Sequence, residues 1–168
     1  MKRIIHLLIY LLIFAIPTCP AFASEIQGGV SYSVDSAREY VNEGLVDNVD
    51  VSGPSSFVDD NTAQKVVYSR NNSGEIVGIT VQYKNEPNRA YIYGRDRNLI
   101  YVDRYDKPVD VYPHRGYRYN MNGKLTLTSL TVSKSEQFRF SPNGELIAHA
   151  VKGVIYDEGG NVIGKANW

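Results

Sequence analysis

One phrase recurs along the second half of this 168-residue chain and restricts its fold more than any other feature. It runs aromatic, any residue, aromatic, three turn residues, Gly, polar, aliphatic. It is plainest at Tyr117, Tyr119, Gly123 and Leu125, and again at Phe138, Phe140, Gly144 and Leu146. A third copy has Val154, Tyr156, Gly160 and Val162 in the same slots. Two weaker copies stand upstream, at Tyr68, Arg70, Gly74 and Ile76 and at Tyr91, Tyr93, Arg97 and Leu99. Residues two apart on a strand share a face, so each aromatic pair marks one side of a sheet. A Gly after turn-forming residues supplies the positive φ of a tight hairpin, and the aliphatic residue opens the return strand. The phrase therefore predicts five β-hairpins. Their uneven spacing fits hairpins joined by loops of different length. Arg97 stands where the other copies have Gly, which predicts a different turn there or a coincidental match.

From Lys65 onward the apolar period is two. Strands are expected near 65–70, 75–83, 90–94, 98–105, 115–120, 124–132, 136–141, 145–151, 153–157 and 161–166. Leu125 and Leu127 alternate with Thr126 and Thr128, and Ser129 shifts the pattern to Leu130 and Val132, as a bulge at that point would. Short connections favour antiparallel neighbours. No long helical pattern alternates with the strands, which argues against a parallel α/β sheet. The expected fold is mainly β, an antiparallel meander of repeated hairpins with one short N-terminal amphipathic helix packed on it.

That helix lies upstream. Residues 1–23 read as a secretion signal: Lys2 and Arg3, the apolar run Ile4 to Ile16, then Ala21-Phe22-Ala23 as cleavage site. Thirteen residues are short for a bilayer span. An uncleaved anchor and a lipidated Cys19 are the alternatives. Cleavage after Ala23 removes Cys19, the chain's single cysteine, and with it disulfides, thiol catalysis and Cys-ligated zinc. Residues 24–63 form the next unit, a short helix and an acidic loop, and 64–168 the hairpin-repeat sheet. Ser36 and Glu39 suggest a capping box for a helix over about 36–44, with Val34, Ala37, Tyr40, Val41 and Leu45 on one face. Residues 24–63 hold eight acids against Arg38, and 64–168 hold fifteen bases against ten acids. This asymmetry reads either as two solvated surfaces or as an acidic arm docked on a basic sheet.

Over residues 64–168 the chain resembles the YD-repeat family and, more loosely, the MORN-variant repeat proteins. Tyr156, Asp157, Gly160 and Val162 carry the resemblance, with Tyr117 to Leu125 and Phe138 to Leu146. Asp follows the second aromatic only at Asp157, and Asn120, Ser141 and Gly94 stand there in other copies. The resemblance implies a β architecture of the kind that builds cell-surface shells, some of which bind carbohydrate. Five hairpins are too few to enclose a cargo, and the family implies no catalytic residues.

Residue chemistry points the same way. His114 and His149 lack the converging partners of a metal site, and Asp103, Asp106 and Asp110 lack the density of a Ca²⁺ loop. No Gly-x-Ser-x-Gly or phosphate-binding Gly loop occurs, and no cofactor is implied. The densest candidate is Tyr83 to Tyr119, which holds eight of the chain's thirteen tyrosines and six arginines. Tyr and Arg are favoured at recognition surfaces, which nominates Tyr91, Tyr93, Arg95, Tyr101, Tyr105, Tyr117 and Tyr119 as a binding face turned away from the helix. The bland alternative is a sheet that fills its faces with half-buried Tyr. The expectation is an exported, secreted or periplasmic, non-catalytic binding or structural module of the bacterial cell envelope. Its partner is an envelope glycan or protein, without nucleic acid, and it meets the membrane only through its signal. An inhibitor or immunity-type partner of an exported enzyme or toxin is the alternative. A hydrolase using Asp103, Asp106 and His114 is the third.

Overall fold

The computed structural model describes residues 31–45, 49–59, 63–71 and 73–165. Residues 1–23, expected from the sequence to be a secretion signal, lie outside them. Ten strands follow in chain order: β1 Ala63–Arg70, β2 Ile76–Tyr83, β3 Arg89–Gly94, β4 Leu99–Tyr105, β5 His114–Asn120, β6 Leu125–Ser133, β7 Glu136–Phe140, β8 Leu146–Val151, β9 Val154–Tyr156 and β10 Val162–Lys165. They pair in that order, each antiparallel to the next, in one open sheet with β1 and β10 at its edges. Every strand expected from the sequence is present, with each end within two residues of its expected place.

The five phrases form one kind of turn. In each, the Gly-slot residue donates its backbone N–H to the carbonyl three residues earlier, as Gly123 does to Asn120 at 2.9 Å. In four of the five copies the residue after the second aromatic caps the turn. Asn120 Oδ1 accepts from the N–H groups of Asn122 and Lys124 at 3.0 Å each, Asn71 does the same for Ser73 and Glu75, and Ser141 for Asn143 and Glu145. Asp157 Oδ1 accepts from Asn161 N–H at 2.8 Å. This explains why Asn, Ser and Asp share one slot: each offers a short side-chain oxygen to orphaned turn donors.

The second copy corrects the expectation for Arg97. Its turn has the same backbone bonds, and Arg97 itself takes φ 65. A left-handed residue other than Gly costs about 1–2 kcal/mol. Three contacts hold it there. The Arg97 carbonyl accepts the Phe57 N–H at 2.9 Å, its guanidinium lies 5.6 Å from the Phe57 ring centre, and Asp59 pairs with it at 3.7 Å.

A bulge follows every one of these turns. The second-aromatic slot pairs with the residue two past the Gly slot, as Tyr119 does with Leu125 and Phe140 with Leu146, but the preceding residue pairs with the fourth past it, as Arg118 does with Leu127 and Arg139 with Ala148. One residue on each return strand, Val77, Ile100, Thr126, Ile147 or Ile163, is left over. The bulge expected at Ser129 therefore lies at Thr126. Ser129 itself is regularly paired with Gly116 and Arg139. A bulge adds right-handed twist, and here the sheet acquires it once per hairpin.

The sheet's faces differ in chemistry. Val66, Val81, Tyr91, Val102, Tyr119 and Leu125 form a row across one face, by direct pairing from β1 to β6. Two apolar clusters lie on this face. Ile79, Val81, Tyr91, Tyr93, Leu99 and Val102 surround Phe57, and Tyr117, Tyr119, Leu130, Phe138, Phe140 and Leu146 surround Ala37 and Val41. The covering residues belong to the helix α1, Val34–Asn42, and to the arm 49–59.

The helix starts one turn earlier than its expected Ser36 cap. Ser33 is the N-cap: its hydroxyl accepts the Ser36 N–H at 3.1 Å, and Ser36 Oγ accepts the Ser33 N–H at 2.8 Å. This reciprocal pair satisfies two orphan donors and places Asp35 in the first turn, where the helix dipole favours it. Ala37 and Val41 are fully buried, whereas Leu45 lies past the helix end and is 42% exposed. Burying Val41 contributes about 1.5–3 kcal/mol. Tyr117 donates its hydroxyl to the Val41 carbonyl at 2.8 Å, which ties the end of the helix to β5.

Of the two charge readings, docking holds. Glu43 lies 3.3 Å from Arg115, Asp50 3.5 Å from Arg89 and Asp59 3.7 Å from Arg97, each acid on the N-terminal segment and each base on the sheet. Arg89 also donates to the Asp50 and Ser52 carbonyls at 2.8 and 3.0 Å. Ser56 forms a β-bridge with Asn98, so the arm locally extends the sheet's bonding. Gly53 lies directly on the Tyr91 ring, where an added Cβ would overlap ring carbons. That ring is 2% exposed and cannot swing aside. Gly53→Ala is expected to cost about 1–3 kcal/mol through this overlap and to hasten proteolysis of the arm. Urea denaturation and limited digestion measure both, and unchanged values would show that the arm is not seated on Tyr91.

Candidate binding face

The face opposite the helix carries the polar groups. Two rows define it: Ala90, Asp103, Arg118 and Leu127, and next to it Tyr105, Gly116, Ser129, Arg139 and Ala148. Tyr101 lies two residues before Asp103 and shares its face. Among the described residues, no helix or strand lies over these rows.

Asp103 and Arg118 form its centre. Arg118 donates from Nε to Oδ1 and from Nη2 to Oδ2, both at 2.8 Å, the two-pronged geometry of the strongest guanidinium–carboxylate pairs. Their side chains are only 13% and 7% exposed. Burial works against the Arg118 charge, but the Asp103 carboxylate outweighs it and raises the Arg118 pKa. Tyr105 places its hydroxyl 3.4 Å from Asp103 Oδ2. Burial raises its pKa well above the ordinary value, with the Asp103 charge adding to the effect.

Arg139 lies two strands from β5 on the same face. Its Nε donates to Gln137 Oε1 at 2.8 Å, and Gln137 Nε2 donates to Thr131 Oγ1 at 3.0 Å. Burial and the neighbouring Arg118 charge push its pKa down to about 10, which leaves it protonated at neutral pH. Gly116 and Ser129 between the two arginines are small. A Cβ on Gly116 would meet Ser129 Oγ at 2.6 Å and the Tyr105 ring at 3.2 Å, so only Gly lets that ring lie here. Arg118 also lies 5.7 Å from the Tyr101 ring centre.

The seven nominated residues do not share a face. Tyr91, Tyr93, Tyr117 and Tyr119 are at most 4% exposed and belong to the two apolar clusters. Tyr117 and Tyr119 lie under the helix, contrary to the expectation that this stretch turns away from it. Tyr101 and Tyr105 belong to the polar face. Arg95 projects from the β3–β4 turn, 73% exposed, and pairs with Glu75 at 3.7 Å. The density of Tyr and Arg drew attention to the stretch, but strand parity separates it. The polar group of Arg118, Arg139, Gln137 and Thr131 is not among the residues nominated from the sequence. A usable signal existed: Asp103 and Arg118 are charged residues in mid-strand on the side away from the aromatic pairs.

The hydrolase candidates are engaged in the fold. Asp106 accepts the Arg115 N–H at 2.7 Å. His114 Nδ1 lies 3.1 Å from the Val111 carbonyl, an acceptor, so Nδ1 carries the proton. The imidazole meets Tyr105 edge-on at 5.7 Å. His149 stacks on Phe138 at 3.9 Å on the helix face, with Nε2 3.1 Å from Glu136. Among the described residues, no three His, Asp or Glu side chains converge as metal ligands, and no helix is long and apolar enough to cross a membrane. Compared with known proteins, the chain matches no family model, no curated protein and no solved structure.

Two measurements follow. Removing either partner of the central pair leaves a buried charge, so Asp103→Ala and Arg118→Ala are each expected to cost about 3–5 kcal/mol and the double variant less than their sum. Denaturation of all four proteins gives the coupling, and simple additivity would show that the two charges act independently. Burial lowers the His114 pKa below its usual 6.5. The unfolded chain therefore takes the proton first. Stability should be flat above pH 6.5 in this residue's contribution and fall as pH drops below it, until folded His114 also protonates. His114→Gln should flatten that slope in a pH series of denaturation curves, and an unchanged slope would assign it to other groups.

Proposed function

We propose that the protein is an exported, non-catalytic binding or structural module of the bacterial cell envelope, with a glycan or a protein as its ligand. The observation that carries this reading is the group Tyr101, Asp103, Tyr105, Arg118 and Arg139 on the sheet face that no described helix or strand covers. Aromatic rings beside fixed guanidinium groups give area, hydrogen bonds and low ordering cost, the composition found at recognition surfaces. The likeness to YD-repeat proteins, some of which bind carbohydrate, supports the same reading. The inhibitor alternative rests on the loose MORN-variant resemblance and on the acidic 24–63 segment, three of whose acids pair with this chain's own arginines. The hydrolase alternative leaned on Asp103, Asp106 and His114, each of which supports the fold through the bonds described.

The test is capture of envelope polysaccharide and envelope protein by the immobilised full chain. Tyr101→Ala is expected to weaken capture by roughly tenfold, equivalent to about 1.4 kcal/mol, while Leu45→Ser on the far side leaves it unchanged. A folded protein that captured nothing and turned over a substrate would end the proposal.

A further inference from the structure

We propose that the cleft between the arm and the β2–β3 turn is a ligand site for a neutral saccharide, separate from the polar face. Ser52, Gly53 and Pro54 line it from the arm, Tyr83 to Glu86 from the turn, and Arg89 and Tyr91 from β3. Tyr83 and Tyr91 belong with the Phe57 cluster, so the cleft opens on the arm side of the sheet. It holds about 720 Å³, within the roughly 300–1,000 Å³ of small-molecule sites. Tyr83 supplies an apolar plate for the C–H face of a sugar. Its ring is only partly buried, whereas Tyr91, 5.7 Å away between centres, is 2% exposed. Glu86 supplies a fixed acceptor. Tyr91 donates its hydroxyl to Glu86 Oε2 at 2.8 Å, and Arg89 Nη1 lies 3.5 Å from Oε1. Burial pushes the Tyr91 pKa up to about 12, so that hydroxyl keeps its proton at neutral pH. A carboxylate has about four acceptor positions, and the Glu86 side chain is 31% exposed, so it retains capacity for the hydroxyls of a sugar. The exposed Asn85 amide and Ser52 hydroxyl add donors and acceptors on the rim. Charge selects the class. Lys84 and Arg89 are balanced by Glu86 and by Asp50, which lies 3.5 Å from Arg89. A charged ligand of either sign therefore gains little, and hydroxyl groups with an apolar ring face are what the cleft can recognise. The arm forms half of the site, so a bound sugar also pins the arm.

The probes are an array of short neutral oligosaccharides, with a short oligogalacturonate and choline as charged controls, all read with the folded full chain. The best neutral binder is then titrated calorimetrically at low and at raised salt. A neutral sugar should bind with little dependence on salt, and neither control should match it. Tyr83→Leu keeps apolar bulk but removes the ring, and should weaken binding at least roughly tenfold. Glu86→Gln should weaken it by a similar factor, with melting curves confirming the fold of both variants. The sugar should also slow limited digestion of the arm. If Tyr83→Leu does not fold, Glu86→Gln decides, and if neither folds, Asn85→Ala on the exposed rim should lower affinity measurably. Absence of neutral-sugar binding, equal binding of either charged control, normal binding by folded variants, or unchanged digestion of the arm would each overturn the assignment. A sugar whose binding Tyr101→Ala abolishes and Tyr83→Leu spares lies on the polar face, which overturns this inference and supports the binding-module reading. A chain that binds no neutral sugar but captures an envelope protein or an acidic glycan also overturns this inference alone. Capture of no glycan and no envelope protein would overturn both.

Discussion

A turn residue held at positive φ, repeated five times, is the constraint on which this molecule depends. Gly74, Gly123, Gly144 and Gly160 adopt φ between 74 and 82, and Arg97 is forced to 65. Such a turn is three residues long and leaves donors that a short side-chain oxygen must satisfy, which selects Asn, Ser or Asp at one position. In the second hairpin Gly94 occupies that position and cannot cap. Asp96 Oδ1 accepts the Asn98 N–H at 3.2 Å instead. The Cβ that a capping side chain at residue 94 would need falls 2.9 Å from that same oxygen. The copy that lost its Gly thus also moved its cap, and its geometry persists because the arm supplies what the local sequence lacks.

The arm and helix follow from the sheet's shape. A single layer of ten strands has no second layer to bury its aromatic pairs. The chain covers them with residues N-terminal to the sheet: Ala37 and Val41 over one cluster and Phe57 over the other. Contacts of this kind are non-directional, so ions and hydrogen bonds fix their register. Tyr117 donates to the Val41 carbonyl near the helix end, Arg115 sits 3.9 Å from the Tyr40 ring centre, and Arg89 donates to the arm's carbonyls. Rim ion pairs of this sort contribute little each. Their role is placement.

Sequence periodicity located all ten strands because turn chemistry punctuates them at every step. It misassigned the Leu125–Leu130 stretch for a specific reason. The leftover residue after each turn, here Thr126, moves Leu125 and Leu127 to opposite faces, and no composition signal marks a bulge that a two-residue period can imitate. The same loss of parity explains the divided fate of the nominated tyrosines. Tyr91 and Tyr93 precede their turn and share the core face. Tyr101 follows the bulge after it, and Tyr105 lies four further on, so both project to the other side. At the helix start, Glu39 gives Ser36 the sequence pattern of a capping box, although Ser33 is the residue that caps. Two serines three apart do the work instead.

The polar face poses an energetic question that the core face does not. Ser129 and Thr131 at 7% exposure and Asp103 at 5% are nearly as buried as the leucines opposite. A buried ion pair rarely stabilises more than apolar residues of similar volume, because desolvating both charges offsets most of their attraction. Stability alone thus does not account for Asp103 and Arg118 in mid-strand, nor for a second guanidinium drawn beside the first. Arg139 shows the cost of burial directly: desolvation, with the Arg118 charge beside it, lowers its pKa against the opposing pull of Asp103.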